Sequence, residues 1–212
     1  MNTVVPVLKA LESFQKQETM LAQFGTRSAF QILISTILSA RTKDTTTIPI
    51  SKKLFAKYPS AKNLAAADMK EIQKMIYGIG FYKTKAARII EVAKILCEKY
   101  GGLVPDSLEK LLELPGVGRK TANCVLVYAF RKPSIPVDTH VHRISNRLGW
   151  VRTKTPEETE QALLKIVPRK YWVEVNEHLV THGQTICVPI SPFCSKCLVF
   201  KYCKRVGVVK HR

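Results

Sequence analysis

The chain has 212 residues, 34 Lys and Arg against 16 Asp and Glu, a formal net charge of +18, and 46% hydrophobic residues. This is enough apolar material for the core of one large domain or two small ones, and the charge attracts polyanions, so nucleic acid is the leading partner. The longest apolar run, residues 30–38, is broken by Gln31, Ser35 and Thr36 and falls short of the roughly 18–20 residues that cross a bilayer. The N-terminus lacks the basic start and apolar centre of a signal peptide, so a cytoplasmic protein is expected, with no membrane partner.

In chain order, residues 7–24 carry an amphipathic helical pattern through Leu8, Leu11, Phe14, Leu21 and Phe24. Residues 29–40 are apolar on nearly every side, as in a helix buried within a bundle. A polar break at Arg41 to Asp44 follows, where Asp44 or Thr45 is expected to cap a helix over 47–57. Residues 62–76 read as one further helix through Leu64, Ala67, Ile72 and Ile76. Next comes Ile76-Tyr-Gly-Ile-Gly-Phe81-Tyr82, with two glycines two apart, leading into a helix over 83–100 that Gly101 and Gly102 end. Such glycines suit an ordinary interhelical turn, or a loop that presents Phe81 or Tyr82 to a partner.

Asp106-Ser-Leu-Glu109 has capping-box spacing and opens another helix. It leads to Leu114-Pro-Gly-Val-Gly-Arg-Lys120-Thr-Ala and a helical pattern over 121–130. Glycines at 116 and 118 permit a tight turn whose N–H groups, around Gly116, Val117 and Gly118, can hold a phosphate oxygen at a helix start. Lys120 lies at the mouth of that turn. After a proline-bearing linker, Asp138 is placed to cap a helix reaching Leu148. Thr155-Pro156-Glu157-Glu158 signals a further helix start, and residues 171–183 form the last long helix. Strand signals are few, with 206–209 ambiguous, so the fold is expected to be all-α with about ten helices.

Four cysteines, Cys187, Cys194, Cys197 and Cys203, are spaced C-x6-C-x2-C-x5-C near the C-terminus. Four thiolates in so short a stretch can surround one centre, and both zinc and an iron–sulfur cluster accept that ligand set. Lys196, Lys201, Lys204 and Arg205 lie among or just after them, where they could meet phosphates. Cys97 and Cys124 fall inside helical patterns and read as buried filler.

Together, the Leu-Pro-Gly-Val-Gly-Arg-Lys-Thr-Ala turn, Lys120, the Val137-Asp138-Thr139-His140 run and the cysteine spacing resemble the endonuclease III family of DNA glycosylases. The resemblance runs from about residue 20 to Cys203. It implies a six-helix module over 22–132, containing a helix-hairpin-helix at about 107–130. It also implies a second, iron–sulfur module made of 1–21 with 133–212 and a cluster loop at 187–203, the two flanking a DNA-binding cleft. It selects a [4Fe-4S] cluster over zinc. This chain has no basic residue between its first two cysteines, where relatives often have one.

The implied function is a bifunctional DNA glycosylase and AP lyase of base excision repair, acting as a nucleoid-associated monomer on double-stranded DNA with an oxidised pyrimidine or an abasic site. Cationic neighbours and partial burial favour the neutral lysine amine that such chemistry needs. The Lys120 amine would attack C1′, expel the base and form a Schiff base with the opened sugar. Loss of a C2′ proton and β-elimination would then break the strand 3′ to the lesion. Asp138 would steady positive charge on the sugar or help deprotonate the lysine. His140 fits the family pattern and is expected to line the pocket, His142 to be structural or solvated, and Arg143, with Arg147, to contact phosphate. The same resemblance implies that this loop pushes a side chain into the base stack, with Phe81 or Tyr82 expected as the wedge. Arg41 stands where relatives commonly have Gln, filling the gap left by the flipped nucleotide.

Two alternatives compete. Mismatch-specific glycosylases of the same superfamily share the hairpin, aspartate and cluster but generally lack a lysine at the position of Lys120. A non-catalytic helix-hairpin-helix module would explain the charge and the glycines, but not Lys120, Asp138 and the cysteines.

Overall fold

A computed structural model of the chain describes residues 3–13 and 27–212. These residues form α-helices joined by turns and short 3-10 segments, with no strand among them, so residues 206–209 form no strand. None of the helices is long and apolar enough to cross a membrane. The chain divides into two compact units, one of residues 19–132 and the other of residues 1–18 with 133–212.

The first unit is built around α2 (Ala29–Ser39). Ser28 and Gln31 close its N-terminus reciprocally, each side chain accepting the other's backbone N–H at 3.3 Å. From Phe30 to Leu38 every side chain but that of Gln31 lies in the interior of the unit. Truncating a core leucine here, such as Leu33 or Leu38, costs about 2–5 kcal/mol. The elements α3 (Asp44–Lys57), α4 (Ala61–Ala65), α5 (Met69–Met75), α6 (Tyr82–Tyr100), α7 (Leu108–Leu112) and α8 (Arg119–Phe130) complete the unit. Helices α4 and α6, and α2 and α8, make its main packing contacts.

Three sequence expectations change here. Asp44 lies in the first turn of α3 behind an N-cap at Lys43 that makes no side-chain cap bond. The single helix expected over 62–76 is two, because Asp68 accepts the Glu71 N–H at 2.9 Å and starts α5 afresh. Ser107, rather than Asp106, caps α7, and Asp106 instead pairs with Lys132 at 2.6 Å.

The second unit contains α1 (Val4–Glu12), α9 (Thr139–Leu148), α10 (Pro156–Ile166) and α11 (Trp172–Thr185). Of the helix expected over 7–24, the part as far as Glu12 is seen as α1, whereas Phe14, Leu21 and Phe24 lie outside the described residues. Val7, Leu8 and Leu11 of α1 share a core with Val141, Ile144, Leu148, Leu163, Val175 and Leu179. Thr155 caps α10 by accepting the Glu158 N–H at 3.1 Å, with Pro156 in the first turn, as its sequence signal predicts.

Candidate functional site

In the first unit, α7 and α8 are joined by a short turn through Leu114, Pro115, Gly116, Val117 and Gly118. Gly116 has φ +76°, and a Cβ there would stand 2.8 Å from Cδ of Arg88 on α6. The turn therefore favours glycine for its left-handed backbone, and a side chain there would also have to displace the flexible end of Arg88. Val117 departs from the expected outward-facing amide: its N–H donates to the Leu114 carbonyl at 3.1 Å and its side chain is buried. Gly118 is the N-cap of α8, exposed, with nothing within 4 Å of a Cβ position. An anion seated at this helix start is favoured by the positive end of the helix dipole. Lys120 lies half-buried in the first turn of α8, two residues beyond that cap.

The same unit exposes a second pair of groups. Arg41 (φ 56°) lies just after α2, and Phe81 (φ 58°) is the N-cap residue of α6. The Arg41 guanidinium sits 5.8 Å from the centre of the Phe81 ring. Phe81 is 65% exposed, whereas Tyr82 packs against the core and meets Tyr77 edge-on at 5.2 Å. Of the two candidate wedges, only Phe81 is presented outward.

In the second unit, Asp138 caps α9. Its Oδ1 accepts the N–H groups of His140 and Val141, both at 2.9 Å, and neither bond involves Oδ2. The approach to Asp138 is anchored by buried Ile135 and Val137, and by Asn176 Nδ2 donating to the Pro136 carbonyl at 2.6 Å. Asn176 carried no signal in the sequence, because its partner is 40 residues away. The His140 ring packs onto α11 where Gly183 makes room: a Cβ there would lie 2.6 Å from His140 Nδ1. His142 is structural, with Nδ1 2.7 Å from Thr159 Oγ1.

Arg143 is not extended toward solvent. One of its terminal nitrogens lies 2.8 Å from the Cys187 carbonyl, 3.2 Å from that of Gly183 and 3.2 Å from His140 Nδ1. Burial lowers its pKa, but a guanidinium remains charged. Arg147, one turn on, donates to the Val188 carbonyl at 2.8 Å, the Pro189 carbonyl at 2.6 Å and Cys187 Sγ at 3.4 Å. Both arginines thus bind the helix that begins at Asp138 to the start of the cysteine loop.

Cys187, Cys194, Cys197 and Cys203 line one cavity together with Ile144, Leu148, His182, Phe193 and Val199. None of the four is in a disulfide. Burial raises Cys194, Cys197 and Cys203, pushing Cys197 up to about 11, so their thiolates call for a cation. Four cysteine sulfurs around one cavity are a donor set that zinc and an iron–sulfur cluster both accept. The Arg205 N–H, 3.4 Å from Cys203 Sγ, adds the kind of donor that tunes such sulfurs. His182, buried with Nε2 3.6 Å from Cys197 Sγ, was not foreseen from the sequence. Burial, then the nearby Arg143, depress it to about 4, so it is neutral. Arg205 stacks 4.7 Å from the centre of Phe200, and Arg212 4.0 Å from that of Phe193. Cys124 is fully buried and Cys97 half-buried, as fits filler.

The family model for the HhH-GPD superfamily base excision DNA repair protein matches residues 34–169. The chain is 54% identical over 175 residues to endonuclease III of Thermotoga maritima, covering 82% of each sequence. It is 39% identical over 174 residues to endonuclease III of Synechocystis sp., covering 82% of this chain and 80% of that one. Among solved structures, it superposes on a trapped endonuclease III–DNA covalent intermediate with a TM-score of 0.87 at 35% identity, over 96% of this chain and 95% of that one. A thermostable thymine-DNA glycosylase matches with a TM-score of 0.83 at 29% identity, over 95% and 94%.

Proposed function

The chain belongs to the endonuclease III family within the HhH-GPD superfamily of base excision DNA repair proteins, and we infer from its likeness to endonuclease III that it is a bifunctional DNA glycosylase and AP lyase whose partner is DNA. The observation that carries the lyase assignment is Lys120 in the first turn of α8, immediately after the glycine turn. A held phosphate at that turn brings the adjoining sugar within reach of a side chain from the same turn.

The reaction begins with the damaged nucleotide out of the stack. The neutral Lys120 amine attacks C1′ while the bond to the base breaks, the base taking the electron pair and then a proton. One amine proton passes to the departing base; the nitrogen lone pair then breaks the C1′–O4′ bond, O4′ takes a proton from solvent, and a protonated imine remains between Nζ and C1′. Removal of a C2′ proton sends electrons into that imine, and the 3′ phosphate leaves. Asp138, held in place by two amide N–H groups, steadies positive charge as the base departs. Its cap bonds fix its position without using Oδ2.

The substrate class proposed is an oxidised pyrimidine in duplex DNA. Lys120 favours this reading over a mismatch glycosylase, which needs no amine nucleophile. Cys187, Cys194, Cys197 and Cys203 would hold a [4Fe-4S] cluster, which supplies a cross-link of the cysteine loop rather than a reacting centre, since four thiolates leave no position for substrate. Duplexes carrying one thymine glycol, one abasic site or one thymine–guanine mismatch test the assignment. Release of thymine glycol and nicking at the abasic site are expected. Release of thymine from the mismatch without any nicking would transfer the protein to the monofunctional class.

A further inference from the structure

Among the described residues Lys85 is the one lysine that is buried. It lies on the first turns of α6, four residues after Phe81, and is 4% exposed. Its Nζ donates to the Leu38 carbonyl at 2.8 Å, the Ala40 carbonyl at 2.5 Å and Thr42 Oγ1 at 3.3 Å. Leu38 and Ala40 end α2, where carbonyls lack helical partners and a cation is favoured. Thr42 Oγ1 in turn accepts the Gly80 N–H at 3.1 Å. Gly80 lies so close that an added Cβ would stand 3.1 Å from the Arg41 carbonyl.

One buried ammonium therefore joins two loops 40 residues apart in sequence. Each loop holds a non-glycine residue in the left-handed region, Arg41 at φ 56° and Phe81 at φ 58°. Such a conformation is strained and persists only where its surroundings enforce it. Those two residues are the exposed pair whose guanidinium and ring lie 5.8 Å apart.

We propose that Lys85 is a positioning residue for damage recognition, holding the Arg41 and Phe81 loops together so that guanidinium and ring are presented to the duplex as one preformed unit. The inference rests on the glycosylase reading above. Lys85 does not touch DNA; it acts through the two loops. Opening the stack around an intact base requires that unit, whereas an abasic site, with no base to unstack, requires it far less. Lys85 therefore separates base excision from strand nicking.

The test measures single-turnover excision of thymine glycol and nicking of a preformed abasic site, side by side, in wild type, Lys85→Met, Lys85→Arg and Gly80→Ala. Lys85→Met keeps the length of the side chain and removes the charge. Gly80→Ala leaves Lys85 intact but pushes on the Arg41 carbonyl, so it moves the same joint without removing a buried charge. Both should lower excision about tenfold while abasic nicking stays within about twofold. Lys85→Arg should recover part of the excision, because its donors reach the same carbonyls. Equal loss of both reactions, or loss of neither, would overturn the proposal, since a general loss of folded protein lowers both together. Wild type inert on both duplexes would instead remove the glycosylase reading, and this inference with it.

Discussion

Lys85 also makes a pH-dependent signature. Burial, with Arg88 adding like charge, lowers its pKa from 10.5 to about 8. The folded chain thus holds this proton less tightly than the unfolded chain. The resulting penalty is fully present below about pH 8 and is relieved as pH rises toward the unfolded value. Relative to Lys85→Met, wild type should therefore gain urea resistance between about pH 7.5 and 9.5. A difference in urea midpoint that does not change with pH would contradict this. Arg41 carries a separate expectation. A guanidinium can donate two bonds to guanine O6 and N7, fewer to other bases. Arg41→Ala should weaken binding to lesion duplexes and flatten the preference for the base opposite. Equal losses with all four opposite bases would reduce Arg41 to a phosphate contact.

At the scale of elements, the hairpin and the cysteine loop carry the account. Gly116→Ala places a side chain at φ +76° and 2.8 Å from Arg88 Cδ, so it should lower the melting temperature, with about 1–2 kcal/mol from the backbone alone. Gly118→Ala meets open space and should melt like wild type, yet bind duplex DNA more weakly, because its methyl group lies at the proposed phosphate seat. Wild-type affinity in Gly118→Ala would move the phosphate elsewhere. For the loop, anaerobically purified protein should be brown and contain iron; stoichiometric zinc without iron would overturn the cluster assignment. The sequence made visible what depends on near neighbours. Asp138 and Thr155 are caps whose partners lie two or three residues on, and both were readable. The apolar period over 62–76 hid a break, because α4 ends at Ala65 and Asp68 starts α5 without interrupting that period. Arg143 and Arg147 read as phosphate ligands, yet the structure gives them carbonyls some 40 residues away. Lys85 was missed for the same reason: nothing local marks a lysine whose acceptors are 43–47 residues distant.

For the whole molecule, a net charge of +18 supplies a general attraction to DNA, and selectivity must come from fixed groups. Each compact unit contributes its own. The unit of residues 19–132 carries the hairpin, Lys120, Arg41 and Phe81, and the other carries Asp138 and the cysteine loop. Removing Lys120 should therefore abolish chemistry while leaving most DNA affinity, since the hairpin and the basic surface remain. Asp138→Asn should slow base release by on the order of 10²–10⁴ with a smaller effect on binding. The central claim is that the Lys120 amine becomes covalently bound to the sugar, and borohydride trapping on abasic duplex DNA tests it most directly. Wild type should be captured as a stable protein–DNA adduct, and Lys120→Gln should yield none while still shifting the duplex in a binding assay. Trapping of Lys120→Gln at the wild-type level would mean that another amine is the nucleophile, and would contradict the account.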